Sequence, residues 1–231
     1  MITGNNKKIS CIIPAYNEGK RIQAVLEIVA SHPLIDEIIV IDDGSSDDTI
    51  AVVEKFKNIK LIIHNKNTGK SISLYDGIRE SSGDFIFLLD ADLAGLTIQN
   101  INDLISPIIN KVADVSISLR RNAPRLWHRL GMDYISGERV LPRHIITPHL
   151  EKIISLKPFG FEVFLNKLII ANNSRIKIVP WLNVDSPYKI TKNGLWVGLK
   201  GDFFMMVDIF RTISIFGPIY QIIKMRNLRV K

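Results

Sequence analysis

The chain has 231 residues, 46% of them hydrophobic, and a net charge of +7. That apolar share supports a sizeable core and excludes global disorder, and the length suits one large domain or one domain with an appendage. The single cysteine, Cys11, excludes an internal disulfide; lying in an apolar run, it is expected to be a small buried residue in a reducing compartment. The first eight residues are polar, without the apolar core of a signal peptide, so secretion is not expected.

Apolar runs at residues 9–13, 37–41, 59–63, 84–89 and 112–119 read as strands. Between them come helical patterns. Ile22, Val25, Leu26 and Val29 mark a first helix, Ile50, Val53 and Phe56 a second, and Ile98, Ile101, Leu104, Ile105 and Ile108 a later one. This alternation predicts an α/β fold: a mostly parallel, Rossmann-like sheet with helices on both faces. The rhythm breaks at Arg120, where Arg120, Arg121, Arg125 and Arg129 cluster around Trp127 and His128. Residues 175–181 read as a further β segment. Residues 203–223 are apolar but interrupted by Asp208 and Arg211, too charged at the centre for a transmembrane span. With the cationic tail of Lys224, Arg226, Arg229 and Lys231, they predict a basic amphipathic helix that lies on an anionic membrane or packs in a dimer.

Charge divides with the pattern. Residues 1–119 carry 11 Lys+Arg and 16 Asp+Glu, a net −5, and residues 120–231 carry 19 and 7, a net +12. An acidic half suggests a metal or sugar site, and a basic half an anionic partner. Three organisational blocks are expected: residues 1–119, residues 120–202 within the same domain, and residues 203–231 as the C-terminal helix. The arginine run accompanies no nucleic-acid-binding motif, so nucleic acid is not the expected anion.

Ligands of open parallel sheets bind beyond the carboxyl ends of strands, and three polar clusters fall there: residues 14–18, 42–48 and 90–92. Pro14 is expected to stop strand pairing, Tyr16 to lie against a flat base, and Asn17 to cap the next helix. Gly44 permits a tight turn, and Ser46 or Asp47 caps the helix that follows. Asp90 and Asp92, one residue apart after Phe85-Ile86-Phe87-Leu88-Leu89, repel unless a cation lies between them. Mg²⁺ is the natural partner, since it takes one or two carboxylates plus substrate phosphates. Alone, such a pair is more simply a strand-to-helix turn with solvated acids. Gly69-Lys70-Ser71 is not a P-loop, which needs glycine at 64, where His64 stands.

Taken together, Ile-Pro-Ala-Tyr-Asn-Glu, Asp-Asp-Gly-Ser-Ser-Asp-Asp-Thr, Asn67-Thr68-Gly69-Lys70 and Gly83-Asp84 leading to Leu-Asp90-Ala-Asp92 resemble glycosyltransferase family 2 over the first half of the chain. The resemblance implies a GT-A fold, an NDP-hexose donor with UDP or GDP, a Mg²⁺ or Mn²⁺ ion, and inversion at the anomeric carbon. It implies that Pro14, Tyr16 and Glu18 line the nucleoside pocket and that Asp42 or Asp43 bonds the base. Lys70 would approach the diphosphate, Asp90 the ribose or sugar side, and Asp92 the metal, with Asp90 as its possible co-ligand. Two features depart from the family: Ser71-Ile72-Ser73-Leu74 replaces a stretch of small residues, and no histidine follows His149, where many relatives supply a metal ligand.

The segment from Ser136-Gly137-Glu138-Arg139 to Arg143 resembles the acceptor loop of polyprenyl-phosphate sugar transferases of the dolichol-phosphate mannose synthase type. That implies a lipid phosphate held by Arg139 and Arg143, and an enzyme peripheral to the inner face of the cytoplasmic membrane. An anionic acceptor needs no general base. The rival reading takes Glu162, in Gly160-Phe161-Glu162, as a base for a sugar hydroxyl of a growing glycan. A third reading is a non-catalytic nucleotide-sugar-binding protein. A nucleotidyltransferase would carry a glycine-rich loop after the first strand, and residues 14–18 are not one.

Overall fold

A computed structural model describes residues 7–156, 160–186 and 217–230. Its strands are β1 (Ile9–Ala15), β2 (Glu37–Asp42), β3 (Lys60–Ile63), β4 (Phe85–Leu88), β5 (Val115–Arg120), β6 (Arg139–Pro142) and β7 (Ile176–Trp181). They form one sheet in the order β3-β2-β1-β4-β6-β5-β7. Pairing is parallel except at β6, which runs antiparallel to both β4 and β5. The helices are α1 (Gly19–Ala30), α2 (Thr49–Val53), α3 (Lys70–Glu80), α4 (Ile98–Ile109), α5 (Arg125–Leu130), α6 (Arg143–Ile146), α7 (Leu150–Ile154), α8 (Phe161–Ala171) and α9 (Gly217–Asn227).

The central strands are mostly apolar because both faces are covered. Successive side chains point to opposite sides. Ile9, Cys11, Ile13, Ile38, Val40, Phe85 and Phe87 therefore meet Ile22, Leu26 and Leu104 of α1 and α4 on one face. Ile12, Ile39, Ile41, Ile86 and Leu88 meet Leu74, Ile78, Leu165 and Met225 of α3, α8 and α9 on the other. Cys11 is wholly buried, and burial pushes its thiol far up, in line with an inert core residue. Strand β7 confirms the expected β segment, and the three helical patterns become α1, α2 and α4, with α2 ending at Val53, before Phe56.

Several expectations need correction. Pro14 does not end β1: it pairs in register with Ile41, and the strand continues to Ala15. Its missing N–H faces β4, whose ladder with β1 closes at Ile12↔Leu88, so no sheet bond is lost. Asn17 does not cap α1; it adopts φ 55 and its Oδ1 accepts from Ser46 N at 2.8 Å. The α1 terminus is held from α2's side instead, by Asp47 Oδ2 on Gly19 N and Thr49 Oγ1 on Glu18 N. Asp47 also accepts from Thr49 N, but the N-cap position of α2 is Asp48, whose side chain makes no capping bond, so α2 is not capped by Ser46 or Asp47 as expected. The strand predicted from residue 112 starts at Val115, because Lys111 turns left-handed at φ 56 and leaves Val112 exposed. Residues 203–216 of the anticipated C-terminal helix lie outside the described residues. Its described part, α9, is anchored by Gln221, which accepts from Tyr134 OH at 2.6 Å. Among the described residues no helix is long and apolar enough to cross a membrane.

Candidate active site

Strands β1, β2 and β4 end side by side, with Ala15 opposite Asp42 and Ile12 opposite Leu88. Their following turns enclose a cleft of about 320 Å³ lined by Pro14, Tyr16, Glu18, Asp43, Lys70, Asp90 and Asp92. Seven of the residues expected in the donor site are thus brought together. Tyr16 is 46% exposed and offers a flat face to the cleft. Glu18 forms an ion pair with Arg21 at 3.0 Å. Asp42, by contrast, is sealed in the β2 turn, where it accepts from Ser45 N at 3.0 Å. Of the two aspartates proposed for the base, only Asp43 lines the cleft.

Asp43 is held by the loop that leads into α3. Its Oδ1 accepts from Thr68 N at 2.9 Å and Thr68 Oγ1 at 2.7 Å, and lies 2.8 Å from His64 Nδ1. Its Oδ2 accepts from Gly69 N at 2.7 Å. Burial pushes this carboxyl up, but the bonds from His64, Thr68 and Gly69 outweigh it and hold the group below the usual carboxylate range. Gly44 lets this loop close over the β2 turn: it sits at φ +74, and a Cβ there would meet the Lys66 carbonyl carbon at 2.6 Å.

Lys70 opens α3 and links three parts of the chain. Its Nζ lies 2.8 Å from Asp90 Oδ1 and 3.1 Å from Glu162 Oε1 at the start of α8. Desolvation pulls the ammonium down, but Asp90 and Glu162 outweigh it and push it well above the usual lysine range. The α3 helix itself was not foreseen. Its buried face consists of Ser71, Ser73, Leu74, Gly77 and Ile78, too many small polar residues for a clear apolar period. The departure from small residues noted there is only partial, since Ser71 and Ser73 turn inward together with Leu74.

Asp90 is fixed from a second side. A Cβ on Gly137 would lie 2.7 Å from Asp90 Oδ2, so only glycine lets the loop before β6 rest against the carboxylate. Asp92 receives Ser186 Oγ at 3.4 Å. Among the described residues no group of three or more His, Cys, Asp or Glu could hold a metal. Two strand-end carboxylates beside an open cleft nevertheless suit Mg²⁺ or Mn²⁺, which complete their shells with phosphate and water.

The acceptor arginines require correction. Arg139 is wholly buried: it donates to Ser136 O at 2.7 Å, Asn166 Oδ1 at 2.6 Å and Tyr134 O at 3.0 Å. Its guanidinium braces the β6 loop against α8 and is not presented to a ligand. Arg143 is at the wrong end of the sheet. Because β6 runs antiparallel, Arg139 pairs with Leu88 near Asp90 while Pro142 pairs with Phe85, and Arg143 N bonds Asp84 O at 2.8 Å. Four residues of strand put roughly 13 Å between the two.

Arg120, at the carboxyl end of β5, is the arginine that the structure places near the acidic pair, in addition to Lys70. It lies 3.5 Å from Glu138 Oε2 and 3.6 Å from Asp133 Oδ2. Desolvation pulls its guanidinium down, but Glu138, Asp90, Asp133 and Asp92 together push it up. Glu138 is fully buried, bonded by Ser118 and Ser136 hydroxyls, and burial pushes its carboxyl up against the pull of Arg120. The sequence carried one signal for Arg120: it ends an apolar strand, as Asp90 follows one.

Residues 10–166 match the profile of Glycosyl transferase family 2. The chain belongs to that family. Among curated proteins, this family 2 chain is 36% identical over 136 residues to an undecaprenyl-phosphate 4-deoxy-4-formamido-L-arabinose transferase of Serratia proteamaculans, covering 53% of this chain and 40% of that protein. It is 27% identical over 206 residues to a dolichol-phosphate mannosyltransferase of Pyrococcus furiosus, covering 75% of this chain and 56% of that protein. The chain spans about half the length of the curated relatives it matches. Its fold is that of GT-A glycosyltransferases. A glucosyl-3-phosphoglycerate synthase from Mycobacterium tuberculosis, solved with Mn²⁺, UDP and phosphoglyceric acid, superposes with a TM-score of 0.68 at 21% identity, covering 90% of this chain and 79% of that one. The same enzyme has been solved with Mg²⁺ and UDP, again with a TM-score of 0.68.

Proposed function

We propose that this chain is a metal-dependent, inverting glycosyltransferase that moves a sugar from a UDP- or GDP-sugar to a polyprenyl phosphate. The observation that carries the reading is the meeting of Lys70, Asp90 and Asp92 at the mouth of the cleft. In inverting transfer an acceptor oxygen bonds the anomeric carbon as the bond from that carbon to the diphosphate oxygen breaks, leaving negative charge on the diphosphate. Mg²⁺ or Mn²⁺ held by Asp92, with Asp90, would neutralise that charge when bound. Lys70 is positioned to donate to the same phosphates, and its carboxylate neighbours keep it cationic. Tyr16 would support the base and Asp43 would receive its polar edge.

The polyprenyl-phosphate acceptor rests on what the relatives' names state. Within the site, Arg120 is the cation best placed to meet an anionic acceptor, in the part expected of Arg139. The described end of α9 fits a peripheral membrane location: Ile219, Tyr220 and Ile223 are exposed beside Lys224 and Arg226.

A second reading has its own observation. Glu162 touches Lys70 within the site, where a base for a sugar hydroxyl would be needed. Transfer from radiolabelled UDP- and GDP-sugars to polyprenyl phosphate should fall at least 10-fold in Arg120→Gln and persist in Glu162→Gln. Loss in Glu162→Gln with activity retained in Arg120→Gln would replace the phosphate acceptor with an alcohol.

A further inference from the structure

A second cavity, of about 590 Å³, opens at the opposite edge of the sheet, where β1 and β4 begin and β6 ends. β1's seven residues put roughly 20 Å between it and the donor cleft. Four cationic side chains line it, Lys7, Lys111, Arg143 and Arg175, against two acids, Asp84 and Asp114. Asp114 is taken by Arg175, whose Nη2 lies 2.9 Å from Oδ1, and Asp84 Oδ2 accepts from Lys8 N at 2.9 Å. Lys7, Lys111 and Arg143 are therefore left facing a single carboxylate.

Arg143 is the sharper observation. Its Nε is buried with no hydrogen-bond partner, and among the described residues no acid or carbonyl takes its guanidinium. A buried charged donor without a partner is costly and is normally satisfied by something. Lys7 Nζ rests over the Phe85 ring at 5.1 Å, a contact that leaves its N–H groups available. The excess positive charge, the orphaned donor and the room around them coincide.

We propose that this cavity is a second anion site, separate from the donor cleft, which takes a phosphorylated molecule through a phosphate or diphosphate group. Arg143 supplies the directional donors, and Lys111 and Lys7 supply charge. The same chemistry is offered by a free phosphorylated metabolite and by a lipid headgroup.

Calorimetric titration of the full chain with inorganic pyrophosphate in EDTA tests the site without metal. Saturable binding is expected, weakened at least 10-fold in Arg143→Gln/Lys111→Gln and unchanged in Asp92→Ala. Retained Mn²⁺-dependent UDP binding in the double variant checks its fold. Sedimentation with phosphatidylglycerol vesicles identifies the source: loss of vesicle binding in the double variant, together with competitive displacement of the wild type from vesicles by pyrophosphate, assigns the site to headgroups. Saturation by pyrophosphate with vesicle binding unaltered in the double variant assigns it to a free ligand. The proposal is overturned if the double variant binds pyrophosphate and vesicles as the wild type does, or if the wild type binds neither.

Discussion

At Asp43 four donors converge on one carboxylate, from His64, Thr68 N, Thr68 Oγ1 and Gly69. Because they hold its ionisation below the ordinary range, the charged form stabilises the fold above about pH 4, and that contribution is lost as pH falls through the depressed value. Asp43→Asn should cost about 2 kcal/mol in urea unfolding at pH 7, with the deficit shrinking below about pH 4. A deficit independent of pH would mean that shape, not charge, holds the loop. Gly137 gives a second prediction at this scale. Gly137→Ala must push Asp90 aside, and displacing a reacting group by about 1 Å can lower turnover by about 10²-fold. Steady-state kinetics should show that drop with the thermal midpoint nearly unchanged. Both residues belong to motifs legible in the sequence. So do Thr68, Gly69 and Asp90, but the contacts were not legible, because His64, Thr68 and Gly69 follow a different strand end and only the fold brings them to Asp43.

Among the elements, α4 is set by local chemistry. Thr97 accepts from Asn100 N at 3.3 Å while Asn100 Oδ1 accepts from Thr97 N at 3.0 Å, a reciprocal cap. Thr97→Ala should destabilise the chain by about 1 kcal/mol in urea unfolding, and Thr97→Ser by much less. Such an element is easily read from sequence, since its cap and apolar period agree. β6 is the opposite case. It has four residues, and its direction follows from the neighbours it joins, which local sequence does not encode. Reading that stretch as one loop put Arg139 and Arg143 together. In the sheet they occupy opposite edges. α3 was hidden for another reason: Gly77 sits against Ile12 and Ile41, where a Cβ would lie 2.5 Å from Ile12 Cγ2, so its core face needs small residues rather than an apolar stripe.

For the whole molecule, the parallel sheet explains why the donor half was legible and the acceptor half less so. Each donor motif follows an apolar run, and strands of one parallel sheet release their carboxyl ends at one edge. Among the described residues the basic half does not form a single exposed patch near the cleft. Arg139 is enclosed, Arg120 is paired with Glu138 and Asp133, and Arg143 faces the far cavity. Net charge alone could not separate these fates. A nucleotide that binds only the folded chain should raise its stability by about 2.7 kcal/mol at 100 times its dissociation constant. A thermal midpoint rise of about 5–10 °C is then expected for the true nucleotide with Mn²⁺. The most direct test of the central claim, that Asp90 and Asp92 with Lys70 form a metal-assisted donor site, is calorimetric titration of wild type and Asp92→Ala with UDP and GDP, with and without Mn²⁺. Binding of one nucleotide that needs Mn²⁺ in the wild type and is lost in Asp92→Ala is the predicted result; Mn²⁺-dependent binding of equal strength in Asp92→Ala, or none by the wild type to either nucleotide, would contradict it.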